Sequence, residues 1–297
     1  MKEQLERRIG MKVGVQLYSV RNSMAANPLG TMEKVAQMGY RYLEPANRNL
    51  ENDPGCGFSL EAESLVKLLG KYGAKVVNVH LSPVDGQFLE KYLRPVIRYH
   101  QAIGNHSLTS AMDFFESRDD ILKKCELFNK IGRICHEEGM DFLYHNHFHE
   151  FQKFNGKTVM DYMAENTDPD YLKFEIDTFW VMRGGYDPVQ VLRKYGKRVK
   201  LIHQKDFSKK SKAPVNLLSV LDPNEKIDRE TFSKLKDISV FTEIGTGIMD
   251  IQSIIDAGNE IGVEYIILEQ DFSSLMELQS LQISMDNFKK YSGISWD

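Results

Sequence analysis

Cysteine is scarce in this chain. Its three cysteines, Cys56, Cys125 and Cys135, form no C-x-x-C pair, which argues against a disulfide framework and a thiolate metal clip. They are expected to pack as small hydrophobes. No run reaches the roughly 18 consecutive apolar residues that a bilayer span needs. The opening stretch MKEQLERRIGMKVGVQLYSV lacks the apolar core of a signal peptide, so a cytoplasmic location away from any membrane is expected. An excess of positive charge is also missing: 38 Lys and Arg stand against 42 Asp and Glu, a formal net charge of −4. The one basic run, KKSK at 209–212, is too short to be a nucleic-acid footprint, and no nucleic-acid partner is expected. Neither G-x-G-x-x-G nor G-x-x-x-x-G-K-[ST] occurs, which excludes the dinucleotide and P-loop phosphate cradles. Linkers and breaks in composition are absent too, and residues 1–297 read as one domain.

What the sequence does have is a repeated alternation. Short runs rich in β-branched and aromatic residues are each followed by a longer stretch with helical periodicity. Eight strands are predicted, at 12–19, 40–44, 74–81, 106–111, 141–147, 172–177, 199–206 and 264–271. Between them lie amphipathic segments such as LEAESLVKLLGKYG, with Gly73 as a C-cap, and RDDILKKCELFNKIGRICHEEG, closed by Gly139. Strands that run apolar before a polar tip imply a parallel sheet covered by helices. Eight such units close a barrel, so the predicted class is α/β, a (β/α)8 TIM barrel. Residues 207–240 are long for a strand-to-helix connection and are expected to form an insertion over the C-terminal face.

In such a barrel the chemistry gathers where the strands end. The polar tips are Glu44, His80, His145 and His147 with Glu150 just beyond, Asp177, His203 with Lys205, and Glu269 with Asp271. The run DFLYHNHFHEF at 141–151 turns abruptly from apolar to polar, and strand alternation sends His145 and His147 to one face. EIGTGIMD at 243–250 reads as a loop bringing Glu243 towards the same end. Each residue has a bland alternative. A carboxylate after a strand can cap the next helix, worth ~1 kcal/mol. Glu44 can pair with Arg41, Lys205 can bridge to Asp206 or Glu243, and a lone histidine is more often a satisfied core residue. His100, His106 and His136 are expected to be structural or superficial. Four adjacent staves ending in metal-competent residues shift the balance towards a divalent-ion site. An oxygen-rich, thiolate-free set suits Mn²⁺, Mg²⁺ or Co²⁺ better than a structural zinc.

The stretches VGVQLYSVR, MGYRYLE, YHNHFHEF, FEIDTFWV, LIHQKDF, FTEIGTG and ILEQD resemble, in order, those of the sugar-phosphate isomerase/epimerase group of xylose-isomerase-like barrels. That group includes inosose dehydratases, hydroxypyruvate isomerases and ketose 3-epimerases, and the resemblance spans nearly the whole chain. It implies one divalent ion (Mn²⁺, Co²⁺, Mg²⁺ or Zn²⁺) held by Glu, Asp, His and Glu from strands five to eight. Carried over by position, the ligands are Asp177, His203 and Glu269. The first ligand departs from the pattern, because Tyr144 or His145 stands where many relatives carry a strand glutamate. Glu150 is the expected replacement, with His145 or His147 as substitutes.

The resemblance further implies proton abstraction next to a carbonyl through a metal-stabilised enediolate. Glu150 and Glu269 would double as ligand and base, with His145, His147 and Lys205 donating to developing oxyanions. Glu44, His80, Trp180 and Glu243 are substrate-binding candidates, Trp180 by offering an apolar face to sugar C–H groups. The expected function is a sugar isomerase or epimerase. A lyase acting on a keto-sugar, keto-glycoside or inosose is the alternative, and a non-catalytic sugar-binding barrel the second. A DNA-repair endonuclease of the same ancestry would want a basic groove. Arg183 and the 208–212 region give a poor phosphate signal, so an unphosphorylated sugar or cyclitol is the expected partner; a homo-oligomer is compatible with the sequence.

Overall fold

The computed structural model describes residues 10–222 and 225–296; the first nine residues, part of the stretch read above for a leader, lie outside them. Eight staves follow one another along the chain. They are β1 (Met11–Gln16), β2 (Tyr42–Glu44, resumed at Ala46–Asn47), β3 (Lys75–Val76 and His80–Leu81), β4 (Ser107–Ser110), β5 (Asp141–His145), β6 (Lys173–Asp177), β7 (Val199–Gln204) and β8 (Tyr265–Leu268). Each pairs in parallel with the next. The ladder from Lys12↔Tyr265 to Val15↔Leu268 then joins β8 back to β1, so the sheet is a closed (β/α)8 barrel.

Alternation along the staves sorts the side chains into two cores. Outward-facing Phe142, Tyr144, Phe174, Ile176, Ile202, Ile266 and Leu268 belong to the large apolar layer under the helices. Inward-facing Leu143, Leu201, Tyr265 and Ile267, with Tyr42 and Val77, fill one end of the interior. The next inward positions along the same staves, such as His145 after Leu143 and His203 after Leu201, are polar. The barrel interior therefore changes from apolar to ionisable within one step of the pleat. Gly14 makes this filling possible, since a Cβ there would lie 2.5 Å from Ile267 Cδ1 and 2.7 Å from the Tyr42 carbonyl.

The longest helix, Arg118–Glu137, starts at Ser117, whose Oγ accepts from the Asp120 amide at 3.2 Å, and buries Ile121, Cys125, Phe128, Ile131, Gly132 and Cys135. Gly139 follows it with a φ of +70°, a conformation glycine adopts without a side-chain penalty. All three cysteines are buried and free, as packing residues should be. Between β7 and the helix Ile251–Ile261 the chain makes a long excursion. An antiparallel pair, Asp206–Phe207 with Phe241–Thr242, brackets it. Inside lies the helix Arg229–Lys234. The excursion packs Phe207, Leu217, Ile227, Val240 and Phe241 against Phe148, Phe179 and Trp180, residues that follow β5 and β6. It thus roofs the C-terminal end of the barrel. Among the described residues no helix is long and apolar enough to cross a membrane.

Candidate metal centre and active site

The pleat aims Glu175 and Asp177 of β6 inwards together, and does the same for His145 of β5 and His203 of β7. Donor atoms of His145, Asp177, His203 and Glu269 lie within 4.8 Å of one another, and all four side chains are buried. His203 Nδ1 is 3.0 Å from Glu269 Oε2, and His145 Nε2 is 3.9 Å from Asp177 Oδ2. The ammonium of Lys205, just past β7, donates to Asp177 Oδ2 and, at 2.5 Å, to Glu269 Oε2. Asp177 also accepts the Trp180 amide at 2.9 Å and so caps the helix Thr178–Arg183. Its bland role and its place in the cluster coexist, one oxygen for each.

A second set of donors lies deeper and shares both imidazoles: His80, His145, Glu175 and His203. His203 Nε2 meets Glu44 Oε2 at 2.5 Å and Glu175 Oε1 at 3.2 Å. His80 Nε2 meets Glu175 Oε2 at 2.5 Å, and His145 Nδ1 stands 3.3 Å from the same oxygen. The Asn78 amide donates to Glu44 at 2.6 Å and to Glu175 at 3.1 Å, while Gln16 donates to Glu44 at 2.7 Å.

Burial and neighbouring charge compete throughout this cluster. Burial alone would raise Glu175 and Glu269, but His203 and His80 around the first, and Lys205 and His203 around the second, hold both well below the usual carboxylate range. Burial opposes a charge on His203, yet Glu175 and Glu44 outweigh it and push the imidazole well above its ordinary value. Asp177 goes the other way: burial raises it to about 6 in spite of Lys205. Lys205 itself is pulled down by burial and further up by Asp177 and Glu269, so it stays charged. Two histidines are driven to the neutral form mainly by burial, His145 to about 3 and His147 well below 6.5.

A cavity of about 180 Å³ opens onto the cluster, lined by His80, His145, His147, Trp180, Glu269 and Asp271. Phe232 from the roof helix lies against Trp180 and His147, with ring centroids 6.0 and 5.4 Å away. Arg48, Arg229 and Lys236 are also among the lining residues and are exposed.

Of the residues singled out in the sequence, Asp177, His203, Glu269, Lys205, His145, Glu44 and His80 converge, and His147 and Trp180 line the cavity. Two do not join them. Glu150 sits on a short turn, His149–Phe151, where it accepts the Tyr144 hydroxyl at 2.7 Å and the His147 amide at 2.8 Å. Its carboxylate belongs to neither donor set, and on β5 the donor is His145. Glu243 accepts from Ser273 and Ser280 at 2.7 and 2.9 Å, outside the cavity lining. The glycine loop it precedes is held instead by Asp206, which accepts the amides of Gly245, Gly247 and Met249. Arg183, weighed above as a phosphate contact, is buried against the Pro214 carbonyl. Glu175 is the residue that sequence reasoning missed. The signal was there: it stands two positions before Asp177, hence on the same inward face.

Residues 32–291 match the family profile of the xylose isomerase-like TIM barrel. The chain belongs to that family. Within it, an inosose dehydratase from Clostridium beijerinckii is 26% identical over 178 residues, which cover 56% of this chain and 55% of that protein. The chain thus spans about half the length of that curated relative. Among solved structures, a sugar phosphate isomerase/epimerase from Parabacteroides distasonis superposes with a TM-score of 0.76 at 20% identity, over 97% of this chain and 96% of that one. The IOLI protein, solved with a bound zinc atom, superposes with a TM-score of 0.69 at 13% identity, over 94% and 97%. At these identities the likeness to solved structures is one of fold.

Proposed function

We propose that the chain is a divalent-metal-dependent lyase that removes water from a small polyhydroxylated carbonyl compound, a keto-sugar or an inosose. The observation that carries this reading is the convergence of two imidazoles and two carboxylates within 4.8 Å at the mouth of the barrel. The donor set fits a metal. His145, Asp177, His203 and Glu269 would hold it, with His145 in the place for which Glu150 was expected. Two imidazoles rather than one favour Zn²⁺, Co²⁺ or Mn²⁺ over Mg²⁺, in keeping with the zinc in the IOLI structure. When bound, the ion supplies Lewis-acid polarisation of substrate oxygens.

The remaining work falls to groups lining the cavity. His147 lines the cavity and is held neutral, chiefly by burial, which makes it the candidate to accept a proton from carbon. Asp271 is pushed the other way, by burial and against Lys205, and is suited to carry a proton to a departing hydroxyl. A neutral imidazole and a carboxyl that burial helps to keep protonated make an acid–base pair. Trp180 and Phe232 present apolar ring surface for the C–H side of the substrate.

The inosose dehydratase relative supports the lyase reading. A second reading, isomerisation or epimerisation of a ketose, uses the same pair to take and return one proton, and an epimerase would need the two groups on opposite faces. Incubation with inososes and keto-sugars in ²H₂O, followed by NMR, separates them. Water loss with a new conjugated carbonyl supports the lyase. Deuterium incorporation with ketose interconversion supports the second reading. In either case a chelator should abolish turnover, and Asp177→Ala should take up no metal. Metal uptake by Asp177→Ala equal to the parent's would remove the site.

A further inference from the structure

Two overlapping donor sets share His145 and His203, and the geometry points to a division of labour between them. We infer that the deep carboxylates Glu175 and Glu44 bind no ion of their own but hold the two shared imidazoles in the orientation that an ion above them requires. This rests on the metal reading proposed above and adds a role for residues to which that reading gives none.

Each shared ring spans the two levels. His203 turns Nδ1 towards Glu269 and Nε2 towards Glu44 and Glu175. His145 turns Nε2 towards Asp177 and Nδ1 towards Glu175. A neutral imidazole carries one proton and one lone pair, on different nitrogens. If the upper nitrogens ligate, the lower ones carry the protons and need acceptors. His203 finds Glu44 at 2.5 Å. His145 Nδ1 is buried with no hydrogen-bond partner, and the carboxylate standing beside it is Glu175, whose Oε2 is 3.3 Å away.

The opposite arrangement, with the ion below, would place N–H groups against Asp177 and Glu269. What separates the two levels is how their carboxylates are held. Glu44 and Glu175 are fixed by side-chain amides, Asn78 on both and Gln16 on Glu44, and both are fully buried. Fixed, sealed acceptors suit an orienting role, because a reactive ion needs an open coordination position. Asp177 and Glu269 are held by Lys205, an ammonium on a flexible four-carbon stem that can give way to a cation. Glu269 also lines the cavity, which Glu175 and Glu44 do not. His80 and His145 line it as well, so the distinction lies in the carboxylates: of the four, Glu269 is the one that an incoming ion and a substrate can both reach.

Partners that orient ligating histidines are worth about 10–100-fold in metal affinity, and that sets the test. Metal-free parent, Glu175→Gln and Asp177→Ala are titrated with Co²⁺ while the visible d–d absorption is followed, and folding is checked by thermal melting. The parent should bind one Co²⁺ per chain. Glu175→Gln should still bind one, about 10–100-fold more weakly and with an altered band, because the His145 ring has lost its charged acceptor. Asp177→Ala should bind none. If Glu175→Gln does not fold, Glu44→Gln tests the same idea through His203. Two Co²⁺ per chain, with one lost in Glu175→Gln, would overturn the proposal by making the deep set an ion site. Parent-like affinity and spectrum in the variant would overturn it as well while leaving the metal reading intact. A parent that takes up no Co²⁺ would overturn both.

Discussion

His100 has no exposed surface and accepts nothing but the Asn105 side-chain amide, 3.0 Å from Nδ1. Burial lowers its pKa from the ordinary 6.5 to about 4, so the folded chain keeps it neutral where the unfolded chain would charge it. The sign follows from linkage: the unfolded state binds the extra proton between those values, so stability is fully present above pH 6.5 and is lost as pH falls. One such group contributes a slope of about 1.4 kcal/mol per pH unit in that window. His100→Gln should show a shallower loss of stability from pH 6.5 to 4.5, read from urea midpoints; an unchanged slope would mean that other groups carry it. Glu150 gives a second prediction at this scale. Two hydrogen bonds fix it, one to the Tyr144 hydroxyl and one to the His147 amide, so Glu150→Ala should cost about 1–3 kcal/mol by thermal melting and leave metal uptake unchanged. Loss of metal on the scale of Asp177→Ala would restore Glu150 as a ligand. Both Glu150 and Glu175 show what residue type and position reveal. A tip residue could be read from the strand it ends, but Glu150 lies on a turn whose direction the sequence does not specify. Glu175 is legible through the two-residue period, but it lies one inward step below the tip, where a barrel interior is ordinarily apolar.

Elements were easier to read than their edges. All eight predicted strands are present, including β4, Ser107–Ser110, in which Leu108 is the one apolar residue. The connection at 207–240 was recognisable by length alone; its use as a roof depends on Phe207, Phe232 and Phe241 finding Phe148, Phe179 and Trp180, a pairing no local pattern encodes. Of the cavity's exposed cations, Arg48, Arg229 and Lys236, the first is far from the other two in the sequence, and no local pattern groups them. Phe232 contributes to the aromatic wall from a helix of six residues. Phe232→Ala is expected to raise KM about tenfold, equivalent to about 1.4 kcal/mol, with only a small change in melting temperature. A large fall in melting temperature would assign the helix to the folding core instead. Asp206, not Glu243, organises the glycine loop, because three amides converge on one carboxylate.

At the scale of the whole molecule, the barrel and the centre at its mouth are one construction. The ionisable cluster is tolerated in the interior because every carboxylate in it meets a cation or an amide, and because an apolar layer of Leu143, Leu201, Tyr265 and Ile267 closes the interior beneath it. Ring closure has a consequence for biosynthesis. Lys12 on the first stave bonds to Glu264, 252 positions further on. At about 5–20 residues per second, a ribosome keeps that first stave waiting on the order of ten to fifty seconds for its last neighbour. Throughout that time the nascent chain carries two unsatisfied sheet borders, each a template for pairing with another copy. Chains stopped short of Tyr265 should therefore collect in the insoluble fraction on expression, where the full-length chain stays in the supernatant, and co-translational chaperones would be needed most in the final stretch of synthesis.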